Sequence, residues 1–375
     1  MKLALFFTRN VSLKLWLDTG LFDREKLIYQ EHLNNGNLQK VYWLTYGKND
    51  AVIASQLKSD NRLHHDITVL PMPHFFCDPI GQLLYSFLMP LIHRRELKSV
   101  NLLKTNQADG SWSAVIAKWL YKKPLIARSG YTLSLLAQKK KRSKLKIKLA
   151  EWIEWFLYKY ADIAVVTSSQ DSRYIQSKYN VSRVKVLYNY IDTELFRPIK
   201  CEKYTDRIVF VGRLVPEKNL FNLIEAISET GLTLDICGKG TLGEQLTHKA
   251  KQLNVQINFI DVVPNYKLPE ILNHYKYYVL PSIFEGMPKS LLEAMACGLV
   301  CIGTDIDGIN EIIEDSVNGY LANDTSVSAL AETINRAIQQ PTENITAKAV
   351  QTICDEFSIE IIVEQENNLF GNLKT

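Results

Sequence analysis

Short apolar runs alternate with amphipathic stretches along the whole 375-residue chain. In the first half the runs that predict strands are LALFF (3–7), KVYWLTY (40–46), DITVLP (66–71), NLLKT (101–105), PLIARS (124–129) and IAVVTS (163–168). Stretches with helical spacing, such as Trp112 to Tyr121, lie between several of them. In the second half RIVFVG, TLDICG, INFID, YYVLPS, VCIGTD and YLAN predict strands, and helical periods follow Asn219, Leu242, Leu268, Pro288 and Ile309. Near-continuous apolar strands alternating with helices imply parallel sheets covered on both faces. The α/β pattern repeats, so the chain predicts two Rossmann-like doubly wound domains. The polar stretch FRPIKCEKYTDR places the boundary after 195. The expected division is 1–195, 196–355, and a final helix over 356–375 packing back on the first domain.

Length and composition fit this division. At 46% apolar and 22% charged residues the chain is globular in composition and long enough for two cores. A net charge of +4 is too small to indicate nucleic acid. Cys77, Cys201, Cys237, Cys297, Cys301 and Cys354 form no metal-ligand pattern, and buried thiols in a reducing compartment are expected. MKLALFFTR reads as a first strand, not a secretory signal. The longest uncharged run, PIGQLLYSFLMPLI, is shorter than the ~20 residues that span a bilayer. A cytoplasmic protein without a membrane span is expected.

Ligands of open α/β sheets bind beyond the carboxyl ends of strands, which directs attention to the loops there. In FVGRLVPEKNLF, Arg213 and Lys218 precede a helix start, an arrangement suited to a diphosphate. The alternative is a solvated cap at Glu217 and Lys218 with Arg213 paired locally. Gly238 and Gly240 fit either a tight turn or a ligand contact. In PSIFEGMPKSLLEAMACG, the helix after Pro288 is apolar on nearly all sides, so its N-terminus meets a cleft and its amides attract an anion. Glu293 on that helix can bridge two ribose hydroxyls, and Glu285 on the turn two hydroxyls of a hexose. Glu285 is equally explained by the helix dipole, whereas a carboxylate inside an apolar helix needs partners.

These motifs, with GTDIDGINEII and NGYL, resemble in order and spacing the retaining, nucleotide-sugar-dependent glycosyltransferases of the GT-B architecture, over about residues 160–335. The resemblance implies two domains facing across a cleft. It implies that Arg213 and Lys218 hold the donor diphosphate, Glu285 the transferred sugar and Glu293 the ribose. Gly286, Met287, Pro288 and Lys289 would form the turn over sugar and phosphates, beside Gly238, and main-chain groups near Val263 would meet the base. The donor would be UDP- or GDP-linked, with no cofactor and no metal; Asp305 and Asp307 are read as a strand-end loop. Three places depart from the family pattern. Tyr190 stands where the family has glycine, FFTRNVSLKLW replaces a glycine-rich loop, and ARSGYT carries Arg128 where a histidine is usual. Arg128 is left to bind an anionic group and Asp109 to orient the acceptor hydroxyl, unless Asp109 only caps the helix at Ser111. A nucleotide-sugar epimerase or phosphorylase of the same architecture, or a non-catalytic sugar-nucleotide or membrane-binding module, stays open.

Seven basic residues from Lys139 to Lys148 precede an apolar row of Leu145, Leu149, Trp152, Phe156 and Tyr160. Read as one amphipathic helix over 139–160, this segment suits an anionic membrane surface and a lipid-linked acceptor in cell-surface polysaccharide assembly. A core helix with a solvated basic tip, or a nucleic-acid patch, would have the same composition.

Overall fold

The computed structural model describes residues 1–76 and 78–373, so Cys77 lies outside the described residues. The chain divides into two compact units, Met1–Leu187 with Val363–Thr375, and Tyr188–Ile362.

In the first unit the strands are β1 (Lys2–Phe6), β2 (Lys40–Leu44), β3 (Ile67–Leu70), β4 (Leu102–Thr105), β5 (Leu125–Ser129), β6 (Ile163–Val166) and β7 (Val184–Val186). The connecting helices are α1 (Leu13–Asp18), α2 (Phe22–Asn34), α3 (Asp50–Ser59), α4 (Pro79–Ile92), α5 (Arg94–Ser99), α6 (Trp112–Tyr121), α7 (Leu133–Lys139), α8 (Lys144–Tyr160) and α9 (Ser169–Tyr179). The strands form one parallel sheet in the order β3-β2-β1-β4-β5-β6-β7. Phe6, Leu103, Ala127 and Val166 join Tyr85 and Leu157 of the covering helices in a core.

The second unit repeats the plan. Its strands are β8 (Tyr204–Val211), β9 (Thr233–Cys237), β10 (Ile257–Ile260), β11 (Tyr275–Leu280), β12 (Val300–Thr304) and β13 (Tyr320–Ala322), in the order β10-β9-β8-β11-β12-β13, all parallel. Its helices are α10 (Leu220–Ile227), α11 (Gly243–Gln252), α12 (Leu268–Asn273), α13 (Lys289–Ala296), α14 (Val327–Gln339) and α15 (Glu343–Thr352). The last helix, α16, spans Ile359–Asn372. Its Glu366 belongs to the first unit, where it is buried against Lys104 of β4 and His32 of α2.

Both units are thus Rossmann-like, and their burial explains the apolar runs: every residue of β4, β9 and β12 is buried. The strand order reverses between β1 and β4 in one sheet and between β8 and β11 in the other. At such reversals the flanking loops diverge and leave a crevice at the strand ends.

Two predicted helices differ. No helix follows Ile309. The segment makes two i→i+4 bonds, Asn310 N–H to the Ile306 carbonyl across Gly308 at φ +85°, and Ile313 N–H to the Ile309 carbonyl, and ends before Ser316 at φ +63°. Ile309, Ile312 and Ile313 are buried there, so the apolar spacing is real but one turn long. The basic segment is not one helix either. α7 ends at Lys139, Lys141 takes φ +49°, and α8 starts at Lys144.

α4 contains Pro90, which brings no amide hydrogen and leaves the Ser86 carbonyl without its i+4 donor. Ser113 Oγ of α6 donates to that carbonyl at 2.7 Å. Trp112 Nε1 donates to Ser86 Oγ at 2.8 Å, and Tyr121 Oη to the Pro90 carbonyl at 2.7 Å. Among the described residues no helix is long and apolar enough to cross a membrane.

Candidate functional site

The loops after β8 and β11 flank the reversal point of the second sheet. After β8 the chain makes a 3₁₀ turn, Pro216–Lys218, and enters α10 through Asn219 at φ +56°. The Asn219 and Asn222 side-chain amides both donate to the Thr325 carbonyl at 2.9 Å, which fixes that entry. After β11 the loop runs Pro281 to Pro288. Ile283 N–H donates to the Glu217 carbonyl at 2.9 Å and joins the two loops.

Across this crevice the Lys218 ammonium donates to Glu285 Oε1, and both side chains are largely buried. The same oxygen accepts from Ser282 Oγ at 2.6 Å, while the Ser282 carbonyl accepts from Thr304 Oγ1 at 2.6 Å. Cation and carboxylate are therefore each held from a different strand end. Arg213 is elsewhere: its side chain is 73% exposed and its guanidinium lies 4.0 Å from the Glu217 carboxylate. The predicted pair of cations is thus one cation fixed in the crevice and one on its rim.

The turn that follows is held by backbone approach. A Cβ at Gly308, whose φ is +85°, would stand 1.9 Å from the Gly286 carbonyl oxygen. On the β8 side, a Cβ at Gly238, φ +153°, would stand 1.9 Å from the Gly212 carbonyl oxygen. Both positions need glycine so that two strand-end loops can touch. The Met287 carbonyl accepts from the Asn189 side-chain amide at 2.9 Å, and the Lys289 ammonium lies 4.7 Å from the centre of the Tyr190 ring. Tyr190 thus occupies its position as a partner for a cation of the turn.

Pro288 is the N-cap of α13, not its first residue, and provides no capping side chain. The first-turn amides therefore point out of the helix beside the Gly286–Lys289 turn. Glu293, in the middle of α13, is 3% exposed, and its Oε1 accepts from the Asn265 side-chain amide at 2.9 Å. Asn265 opens the 3₁₀ turn Asn265–Lys267, two residues after Val263, so the loop that follows Val263 and the α13 carboxylate are directly bonded. Burial, then the Glu293 carboxylate, pushes the Cys297 thiol up to about 12, which removes it as a nucleophile near neutral pH.

In the first unit, Asp109 does not cap α6, whose N-cap is Ser111. Its Oδ1 pairs with Arg9 Nε at 3.2 Å, and its carbonyl accepts from Arg9 N–H at 3.1 Å. Arg9 follows β1 and Asp109 follows β4, so this pair also spans a reversal point. Arg128 is the fourth residue of β5, and its carbonyl accepts from Thr105 Oγ1 at 2.9 Å. The loop after it is anchored by buried carboxylates: Glu154 accepts from the Leu133 and Ser134 amides and from Tyr179 Oη, and Asp171 from Thr132 Oγ1. Burial raises the Glu154 carboxyl above its usual range despite these donors.

Asp305 follows β12 and accepts from the Asn310 side-chain amide at 2.8 Å. The described His, Cys, Asp and Glu side chains close enough to share a metal ion are His64, His65 and Asp66, three consecutive residues before β3. Ser282, Asn265, Asn189 and Gly308 escaped the sequence reading. Only the G of TDIDG carried a local turn signal.

Two parallel Rossmann-like sheets in one chain are the layout of the GT-B glycosyltransferases. The comparisons agree. Residues 192–352 match Glycosyl transferases group 1 and residues 40–195 match Glycosyltransferase Family 4. Together the matches span most of the chain, which belongs to the group 1/family 4 glycosyltransferases. A UDP-Gal:alpha-D-GlcNAc-diphosphoundecaprenol alpha-1,3-galactosyltransferase of Escherichia coli is 26% identical over 269 residues, 66% of this chain and 69% of that protein. A GalNAc-alpha-(1->4)-GalNAc-alpha-(1->3)-diNAcBac-PP-undecaprenol alpha-1,4-N-acetyl-D-galactosaminyltransferase of Campylobacter jejuni is 26% identical over 64% of this chain and 68% of its own. Among solved structures, Anabaena Alr3699/HepE in complex with UDP and glucose superposes with a TM-score of 0.75 at 18% identity, covering 99% of this chain and 100% of that one. A sucrose-phosphate synthase from Thermosynechococcus elongatus superposes with a TM-score of 0.77 at 16% identity, covering 100% and 99%.

Proposed function

We propose that this chain moves a sugar from a nucleotide-diphosphate sugar, UDP- or GDP-linked, to a lipid-linked glycan acceptor in surface polysaccharide assembly. The observation that carries the reading is the Lys218–Glu285 pair at the β8/β11 reversal, beside an uncapped α13 and its buried Glu293. The galactosyltransferase and N-acetylgalactosaminyltransferase relatives, whose names specify diphosphoundecaprenol-linked acceptors, support the acceptor class.

In this reading Lys218 and the α13 amides receive the diphosphate, with Arg213 reaching in from the rim. Diphosphate binding draws Lys218 away from Glu285, whose carboxylate then accepts from the sugar hydroxyls. Glu293 accepts from the ribose, and main-chain groups near Val263 and Gly238 flank the nucleoside and diphosphate. The bond from the anomeric carbon to the diphosphate oxygen breaks, the acceptor hydroxyl oxygen forms the new bond on the same face, and its proton passes to the leaving diphosphate oxygen. Negative charge grows on the leaving diphosphate, so fixed positive charge stabilises the transition state more than the ground state. No metal is needed for that charge. Arg128 and Asp109 serve the acceptor side, and residues 139–160 meet an anionic membrane from the cytoplasmic face.

A thermal-shift screen of nucleotide diphosphates and their sugars tests the donor site, since a ligand bound only by the native state raises the melting point. Nucleotide release that depends on acceptor supports transfer. Release without acceptor, or saturable binding without turnover, overturns it in favour of an epimerase, phosphorylase or binding module.

A further inference from the structure

α4 is built inside out. Its buried row is Tyr85, Ser86, Met89 and Pro90, and its outward row, at helical spacing, is Ile80, Leu83, Leu84, Phe87, Leu88 and Leu91. Every residue of that outward row is an exposed large hydrophobic, Ile80 at 73%. No charged side chain interrupts the 14-residue helix. An ordinary surface helix turns its apolar face to the core. Here none of the described residues of the unit covers it.

The neighbouring helices extend the patch. α6 lies against α4 through Trp112, stacked on Phe87, and against α8 through Trp119, which meets Phe156 and Tyr160. Trp119 and Leu120 are half-exposed on α6, and α8 exposes Leu149, Trp152 and Leu145, the last at 78%. Of the row read from the sequence as an amphipathic stripe, Leu145, Leu149 and Trp152 are therefore on the outside, while Phe156 and Tyr160 are half-buried against the core.

Charge says what covers this face. In parallel α/β units the connecting helices run against the strands, so α4 and α6 end at the same edge. Arg94 and Arg95 follow the one, and Lys122 and Lys123 the other. At the opposite edge stands the basic joint between α7 and α8, Lys139 to Lys148. An apolar centre with positive charge at two rims and half-exposed tryptophans is complementary to acyl chains, interfacial carbonyls and anionic headgroups. Fourteen residues reach about 21 Å, short of the ~30 Å hydrocarbon thickness, so α4 fits in the plane of the interface and not across it.

We propose that the α4–α6–α8 face is a monotopic docking surface for an anionic lipid bilayer, with α4 as the element that enters the acyl region. This rests on, and extends, the reading of 139–160 as lipid-facing: the basic joint attracts the membrane, and α4 supplies the apolar contact that persists in salt.

The test is flotation of the purified full chain with phosphatidylcholine vesicles, with and without phosphatidylglycerol. Binding is expected to need phosphatidylglycerol at first contact and to survive salt in part. Brominated acyl chains are expected to quench the tryptophan emission. The double variant Leu84→Glu/Leu91→Glu is expected to bind at least about tenfold more weakly at every salt concentration. Lys140→Gln with Lys144→Gln is expected to weaken binding mainly at low salt. Unchanged flotation of the glutamate variant, or absence of bromine quenching in the wild type, overturns the proposal. So does a dimer in sedimentation velocity that the two glutamates dissolve, which would assign the face to a second copy. If the glutamate variant fails to fold, bromine quenching of the wild type decides alone. Nucleotide thermal shifts report the donor site separately, so either reading can fail without the other.

Discussion

Lys218 and Glu285, 67 residues apart, meet as an ion pair across the strand reversal of the second sheet. Arg9 and Asp109 do the same across the reversal of the first. In each unit the cation follows the first strand of the sheet in chain order, and the carboxylate follows the strand that begins the second half. The crevice geometry makes this possible, because only there do two loops from adjacent strands part company. The pair cancels its own charge, so in the proposed donor complex a diphosphate would have to compete with a carboxylate for one ammonium.

Replacing Lys218 by Met removes that ammonium. Transfer is expected to fall by at least about 10²-fold, the usual cost of one transition-state donor. Glu285 keeps Ser282 as a donor, so the stability loss should stay near 1–3 kcal/mol. Steady-state rates and urea unfolding measure the two separately. Wild-type turnover in the variant would remove Lys218 from the site.

Glu285 and Glu293 are separable by ligand. Glu293→Gln keeps an acceptor for Asn265, so stability should change by less than about 1 kcal/mol while affinity for free nucleotide diphosphate and for its sugar both drop. Glu285→Gln should weaken the nucleotide sugar and leave the free nucleotide diphosphate nearly unchanged. Titration calorimetry with both ligands distinguishes them. Equal losses for both ligands in both variants would contradict the division of roles.

Gly308→Ala places a methyl group against the Gly286 carbonyl at a positive φ. A destabilisation of about 2 kcal/mol or more is expected, together with loss of donor binding, although Gly308 is assigned no ligand contact. Gly243, at the start of α11, has only Leu214 Cδ1 near its missing Cβ, at 3.8 Å. Gly243→Ala should stay within about 1 kcal/mol of the wild type. Melting curves of the two variants make the comparison.

Stability should fall in acid through Glu366. Burial alone would raise its carboxyl, but Lys104 and then His32 outweigh burial and hold it well below the usual range. In the unfolded chain it titrates near 4.5. Below that pH the unfolded chain takes up a proton that the folded protein refuses, so stability declines as pH drops. Glu366→Gln should flatten this slope over roughly pH 5 to 3, while costing about 3–5 kcal/mol at neutral pH by stranding the buried Lys104. Urea midpoints against pH in the two proteins measure it, and parallel slopes would exclude Glu366 as the cause.

The second sheet was legible in the sequence because its strands are apolar at nearly every position and end in loops with unusual residues. β7 was not, since Val184, Lys185 and Val186 are three residues long, and none is fully buried. The spacing of Ile309, Ile312 and Ile313 imitates a helix because one turn satisfies the same periodicity. Lys218, Glu285 and Glu293 were singled out by residue type and position after a strand or on a helix. Their partners were not. Ser282, Asn265 and Asn189 are ordinary polar residues whose roles depend on which loops the sheet brings together, and local sequence holds no record of that. The sequence reading of α4 stopped at a run too short to span a bilayer. Periodicity locates an apolar face but does not say whether protein or something else lies against it.

The hydrogen bonds that fasten α4 to α6, from Ser113, Trp112 and Tyr121, exist partly because Pro90 released a carbonyl. Bonds of this kind are weakest where solvent competes for their atoms and gain strength as the local dielectric falls. A joint made this way is loosest while its outer side is wet. Contact with an apolar medium would tighten it, so the fold would grip hardest in the one setting where α4 has somewhere to put its leucines.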